Sequence, residues 1–144
     1  MALVEGYNFP EELYYHKEHA WIKKEADGTV RIGMNDFYQK SAGDTTYIDL
    51  PFEGDKVSQG ETCGKIQSAK WVGKFVSPVS GEITQVNTDL EDDCTLINKS
   101  PYEKGWIMMV KPSKFDEELK HLFHGKQVDQ WIQKEIADAE KKKA

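Results

Sequence analysis

Arginine is nearly missing from this chain: of 19 basic residues in 144, only Arg31 is an arginine. Nucleic-acid interfaces draw on arginine because its planar fork pairs phosphates and base edges, and they sit on a basic face. A chain with net charge −6 and one arginine is not expected to have nucleic acid as a partner. Cysteine is scarce too. Cys63 and Cys94 are the two present, and in a reducing compartment such a pair reads as two free thiols. No apolar run approaches the roughly 20 residues of a membrane span. The opening "MALVEGYNFPEELYY" lacks a basic segment followed by an apolar one, so it does not read as a signal peptide, and the expected location is cytoplasmic. The histidines fall in "HKEH" (His16, His19) and "HLFH" (His121, His124). That spacing can present two ligands on one face, but no third ligand stands in register, so no metal site is expected.

What is present suits one soluble globular domain: charged residues make up 31% and hydrophobic ones 38%. The first 112 residues read as β. Short runs rich in β-branched and aromatic residues cover 29–35, 44–50, 62–68, 73–79, 81–87 and 105–111, separated mostly by Gly, Pro, Asn or Asp. Short strands at this spacing predict a barrel or sandwich, which removes exposed edges. Between them "DFYQKSA" (36–42) predicts a short helical turn, with Asp36 as its N-cap. The tail, 113–144, predicts two helices packed on the β-domain. Ser113 caps the first, which carries Phe115, Leu119 and Leu122. Gly125 punctuates, and the second places Val128, Trp131, Ile132 and Ile136 on one face. The final "EKKKA" is expected to fray.

The stretch "CGKIQSAKWVGKFVSPVSG" (63–81) holds the most telling residue. Residues 64–68 and 73–76 predict a hairpin whose tip is 69–72. Lys70 then projects from the tip, away from the body of the domain. Lysines at such tips are ordinarily solubilising charges. A primary amine on a four-carbon stem can also form an amide with a carboxylic acid such as lipoate or biotin, and a tip lets both a ligase and successive enzymes reach it.

The segments "KEHAW" (17–21), "VRIGMNDF" (30–37), "GDTTYIDLPFEGDKVSQGE" (43–61), "SAK" (68–70), "SPVSGEI" (77–83), "VNTDLED" (86–92), "LINKSPYEKGW" (96–106) and "KPS" (111–113) resemble, in order, the H protein of the glycine cleavage system. The resemblance implies a mainly β fold: the lipoyl-domain flattened barrel of two β-sheets, a barrel-sandwich hybrid, over 1–112, with a C-terminal helical extension over 113–144. It implies a non-catalytic carrier with lipoate in covalent amide linkage to Lys70, loaded by a lipoate ligase or lipoyltransferase. Biotin carriers share the architecture but flank their lysine with methionines, whereas Ala69 and Trp71 stand here.

Four positions depart from the family pattern. Gln67 replaces a glutamate and Trp71 a small residue, both beside the lysine, where a ligase would read them. Ala20 stands in "HAW" where the family has "HEW", and Lys74 replaces an aspartate. The resemblance places those two carboxylates near the cationic aminomethyl cargo of the arm. An ion pair at about 5 Å is worth roughly 3 kcal/mol at an intermediate dielectric and about 1 kcal/mol or less when exposed. Losing one carboxylate and reversing the other predicts a neutral or anionic cargo. That charge pattern resembles the lipoate-binding branch that serves sulfur oxidation beside a heterodisulfide-reductase-like complex. The alternative expectation is an ordinary H protein with the glycine cleavage P, T and L proteins as partners. Two other classes compete with a carrier: an unmodified scaffold that binds partners with its surface, and an enzyme using Cys63 or Cys94. A nucleophilic cysteine needs a base and a depressed pKa, and nothing beside either residue in sequence supplies them.

Overall fold

A computed structural model describes residues 3–4, 7–10, 12–68, 70 and 72–143, and of residues 3, 4 and 139–143 the backbone alone. Eleven strands appear among these residues: β1 (Leu3–Val4), β2 (Tyr7–Asn8), β3 (Tyr14–Tyr15), β4 (Ala20–Lys24), β5 (Val30–Met34), β6 (Thr45–Asp49), β7 (Lys56–Val57), β8 (Thr62–Ser68), β9 (Val72–Val76), β10 (Gly81–Val86) and β11 (Met108–Pro112). The helices are α1 (Asp36–Ala42), α2 (Asp89–Asp92), α3 (Leu96–Lys99), α4 (Phe115–Glu118) and α5 (Lys126–Lys143), with a 3₁₀ turn at Leu119–His121. No described helix is long and apolar enough to cross a membrane.

The fold is mainly β, as the resemblance implies: a sandwich of two sheets with a helical tail. One sheet has six antiparallel strands in the order β3-β4-β5-β11-β10-β7, and the other has three in the order β6-β8-β9. Strands β1 and β2 form a separate small pair. Because side chains alternate along a strand, each sheet turns one set inward. Ile48, Ile66 and Phe75 from the small sheet meet Ile22, Ile32, Val57, Ile83, Met108 and Val110 from the large one in the main core. Each fully buried side chain of this kind contributes about 1.5–3 kcal/mol.

Strand β4 has no reading in the sequence pattern, and its burial explains why. Ala20, Trp21 and Ile22 are all buried. Ala20 and Ile22 enter the main core, while Trp21 enters a second cluster with Phe9, Leu13, Tyr15, Phe37, Val128 and Ile132. The strand is covered on both faces, so it shows no alternation of polar and apolar residues. Helix α5 supplies part of that cover through Val128 and Ile132. Trp131 stacks on Phe123 with ring centroids 4.8 Å apart. The side chains of the final "EKKKA" lie outside the described residues.

Two local expectations need correction. The N-cap of α1 is Asn35, whose side-chain oxygen accepts the Tyr38 N–H at 2.9 Å; Asp36 is the first helical residue. The first tail helix is only one α-turn before it tightens into the 3₁₀ turn. Its Glu118 is buried and reaches back to the Ser80 N–H at 2.7 Å, pinning the tail to the loop before β10.

Candidate functional site

The hairpin of β8 and β9 pairs Lys65 with Lys74, Ile66 with Gly73 and Gln67 with Val72. The pairing turns Ile66 into the core and leaves Lys65, Gln67, Val72 and Lys74 exposed. Lys70 sits in the tip and is exposed, with its N–H donating to Ser68 Oγ at 3.2 Å. Its stem does not stand clear of the body. A Cβ built on Gly43 would lie 3.6 Å from Lys70 Cε and 3.8 Å from its Cδ, so the methylenes run over that glycine.

Gly43 closes α1. Its φ of 78° lies in the left-handed region that glycine alone enters without strain, and its N–H returns to the Gln39 carbonyl at 3.0 Å. A single side chain then fixes it. Asn98, in α3, donates through Nδ2 to the Gly43 carbonyl at 2.8 Å and to Gln39 Oε1 at 3.2 Å. Its Oδ1 accepts the Thr45 N–H at 2.9 Å. Thr45 opens β6 and pairs with Ser68, two residues before Lys70. The end of α1, the start of β6 and the end of β8 are thus held together beneath the lysine. Sequence reasoning misses Gly43 and Asn98 as parts of the site. A glycine after a helical run signals a C-cap, but nothing in the sequence brings it against Lys70.

The other site positions fall in different surroundings. Gln67 is exposed on the outer face of the small sheet, between Tyr47 and Val72. Lys74 is exposed on the same face, directly opposite Lys65. Ala20 is 1% exposed and belongs to the main core. It lies near the N-terminal end of α1, where the Asn35 N–H donates to the His19 carbonyl, whereas Gly43 and Lys70 are at the other end. Seven helical residues separate the two ends by about 10 Å. Ala20 is therefore a packed methyl and Lys74 a strand-face lysine, and the residues themselves carry no sign of an anionic cargo. Trp71 and its neighbour Ala69 lie outside the described residues.

Neither cysteine is activated. Burial, reinforced by the charge of Glu61, pushes the Cys63 thiol up to about 12, and burial raises Cys94 as well. Both are free, Cys63 donating to the Phe75 carbonyl and Cys94 to that of Thr45. Two of the four histidines pack on aromatic rings: His19 against Trp131 and Phe37, and His124 stacked on Tyr14. Among the described residues no group of three or more His, Cys, Asp or Glu could hold a metal ion.

Comparison with known proteins bears on the same span. The family model described as glycine cleavage H-protein matches residues 13–135. A probable glycine cleavage system H protein of Thermococcus gammatolerans is 47% identical over 122 residues, covering 85% of this chain and 90% of the relative. The glycine cleavage system H protein of Oceanobacillus iheyensis is 39% identical over 126 residues, covering 88% and 98%. Among solved structures, a glycine cleavage system H protein from Mycobacterium marinum superposes with a TM-score of 0.69 at 37% identity, covering 73% of this chain and 87% of that one. These matches overturn the expectation of a sulfur-oxidation carrier working beside a heterodisulfide-reductase-like complex. The two positions that prompted it are a buried core methyl, Ala20, and an exposed strand-face charge, Lys74.

Proposed function

Because the chain belongs to the glycine cleavage H-protein family, whose members are non-catalytic carriers bearing lipoate on a lysine, we propose that it carries the aminomethyl group of glycine cleavage on a lipoyl arm attached to Lys70. Its partners on this reading are the P, T and L proteins of that system. The observation that carries it is Lys70 itself, exposed at the tip of the β8–β9 hairpin within the matched span.

The residues present fit a lipoyl amide. The amine is open to a modifying enzyme, and the glycine under its stem leaves that surface smooth, with a φ that disfavours any side chain there. Attachment joins Lys70 Nζ to the acyl carbon of an activated lipoyl donor. The bond from that carbon to the donor's leaving group breaks, and the amine's proton goes to solvent. When bound, lipoate supplies a disulfide that accepts the aminomethyl group left by decarboxylation of glycine. The chain contributes placement. Asn98 and Gly43 fix the root of the arm, and the hairpin holds that root at the edge of the sandwich.

The test is peptide mapping by mass spectrometry after incubation with lipoate, ATP and a lipoate ligase. The wild-type chain is expected to gain a lipoyl adduct on Lys70, and Lys70→Ala to gain none. An adduct that survives in Lys70→Ala, on Lys65 or Lys74, would overturn the assignment.

A further inference from the structure

Two rows of side chains cross the outer face of the small sheet next to Lys70. The nearer row runs Tyr47, Gln67, Val72 in direct cross-strand register. The next row on the same face runs Asp49, Lys65, Lys74. Tyr47 is 54% exposed and Val72 64%, and they are two of the three large hydrophobic side chains left exposed among the described residues. Scattered exposed apolar residues need no explanation. These two lie in one row, on the face that leads to the lysine.

The second row is costly as it stands. Lys65 and Lys74 are directly opposed on adjacent strands, an arrangement that destabilises a sheet. Asp49, the one acid in these two rows, is opposite Lys65 only. In a chain of net charge −6, this gives a local surplus of positive charge beside the modified residue.

We propose that this face, Tyr47, Gln67 and Val72 with Lys65 and Lys74, is the docking surface for the enzyme that acylates Lys70, and that the enzyme meets it with an apolar contact rimmed by carboxylates. The inference rests on Lys70 being the acylated residue. It is the acylating enzyme that must cover this face, because acylation brings a carbon within bonding distance of Nζ and so brings the enzyme onto the strands at the root of the lysine. Enzymes that use the finished arm meet its far end and need not touch these strands. Charge selects the approaching surface: two cations held together attract an acidic rim and repel a basic one.

The experiment measures acylation of the apo protein by the lipoate ligase of the same organism, with lipoate and ATP, over a range of apo-protein concentration and salt. Three variants are compared: Lys74→Glu, Lys65→Glu with Lys74→Glu, and Tyr47→Ser. Each is expected to raise KM about tenfold and leave kcat within about twofold, and the two charge variants are expected to flatten the salt dependence. Lys74→Glu distinguishes docking from folding, because it sets an acid opposite Lys65 on an edge strand with no acid of its own to face, and is expected to raise Tm while it weakens acylation. Unchanged KM in the double charge variant and in Tyr47→Ser overturns the docking face while leaving Lys70 as the attachment site. Wild-type protein that acquires no adduct on Lys70 overturns both. Variants that are acylated normally but lose turnover with the glycine decarboxylase assign the face to a different partner and overturn the proposal.

Discussion

Replacing Asn98 with alanine should damage both the fold and the loading of Lys70. Asn98 makes two contacts of 2.9 Å or less, one from the Thr45 N–H and one to the Gly43 carbonyl. Thr45 is buried, so the deletion leaves its N–H without its acceptor. An orphaned buried donor costs about 1–3 kcal/mol. Gly43 is only half buried, and water can replace the lost donor to its carbonyl at smaller cost. The total is about 2–3 kcal/mol. For a domain of this size each kcal/mol moves Tm by roughly 2–4 °C, so a fall of about 5–10 °C is expected. Since Gly43 is the seat of the Lys70 stem, its release also lets the root of the arm wander, and the first-order rate of acylation at saturating apo protein should fall several-fold. Thermal unfolding by circular dichroism and acylation kinetics well below Tm read the two effects separately. Asn98→Asp keeps an acceptor for Thr45 but turns a carboxylate oxygen toward the carbonyls of Gly43 and Gln39, so acylation should suffer more than its Tm suggests. If Asn98→Ala melts within about 1 °C of wild type, the latch contributes nothing that the calculation assigns to it.

Two further substitutions probe the second core. A Cβ on Gly33 would lie 2.7 Å from Trp21 Nε1, and Trp21 is wholly buried with that nitrogen donating to the Pro101 carbonyl; Gly33→Ala should cost about 1–3 kcal/mol in urea unfolding, and a neutral result would show that the indole has room to move. His19 is neutral in the fold, because burial, with His16 nearby, holds its imidazole down at about 4, against an ordinary 6.5. Its protonation favours the unfolded chain, so its contribution to stability is complete above pH 6.5 and drains away as pH falls toward 4. At pH about 5 the loss is roughly 2 kcal/mol, and His19→Gln should remove that part of the pH dependence while leaving the smaller part due to His16, which burial also lowers. A variant as acid-sensitive as wild type would place the titration elsewhere.

The strands of the small sheet were legible because each is short, β-branched and bounded by turn residues, and because the sheet is solvated on one face. The run 62–68 matches β8 residue for residue. The strand β4 was not, since Ala20, Trp21 and Ile22 serve two cores at once and alternation vanishes. The dipeptide strands β3 and β7 are too short to carry a period at all. The position of Lys70 between two β-prone runs could be read directly. Its resting place against Gly43 could not, because the contact is made by α1 and fixed by Asn98, which lies far along the chain from both. The sulfur expectation failed for a related reason. It treated Ala20 and Lys74 as neighbours of one cargo, and charge at two positions means nothing jointly until their surroundings are known.

The hairpin that holds up Lys70 pairs β8 with β9, neighbours in the chain from Thr62 to Val76, whereas the six-stranded sheet is stitched at its centre by β11, which pairs with both β5 and β10. During synthesis the hairpin can therefore close upon itself while the larger sheet still waits for residues 108–112. Until these emerge, β5 and β10 each present an open edge to whatever is nearby, and the most distant pairing carries the entropy of closing the longest loop. The order in which the ribosome delivers the chain thus leaves its exposure to misassembly in the sheet that does not carry Lys70.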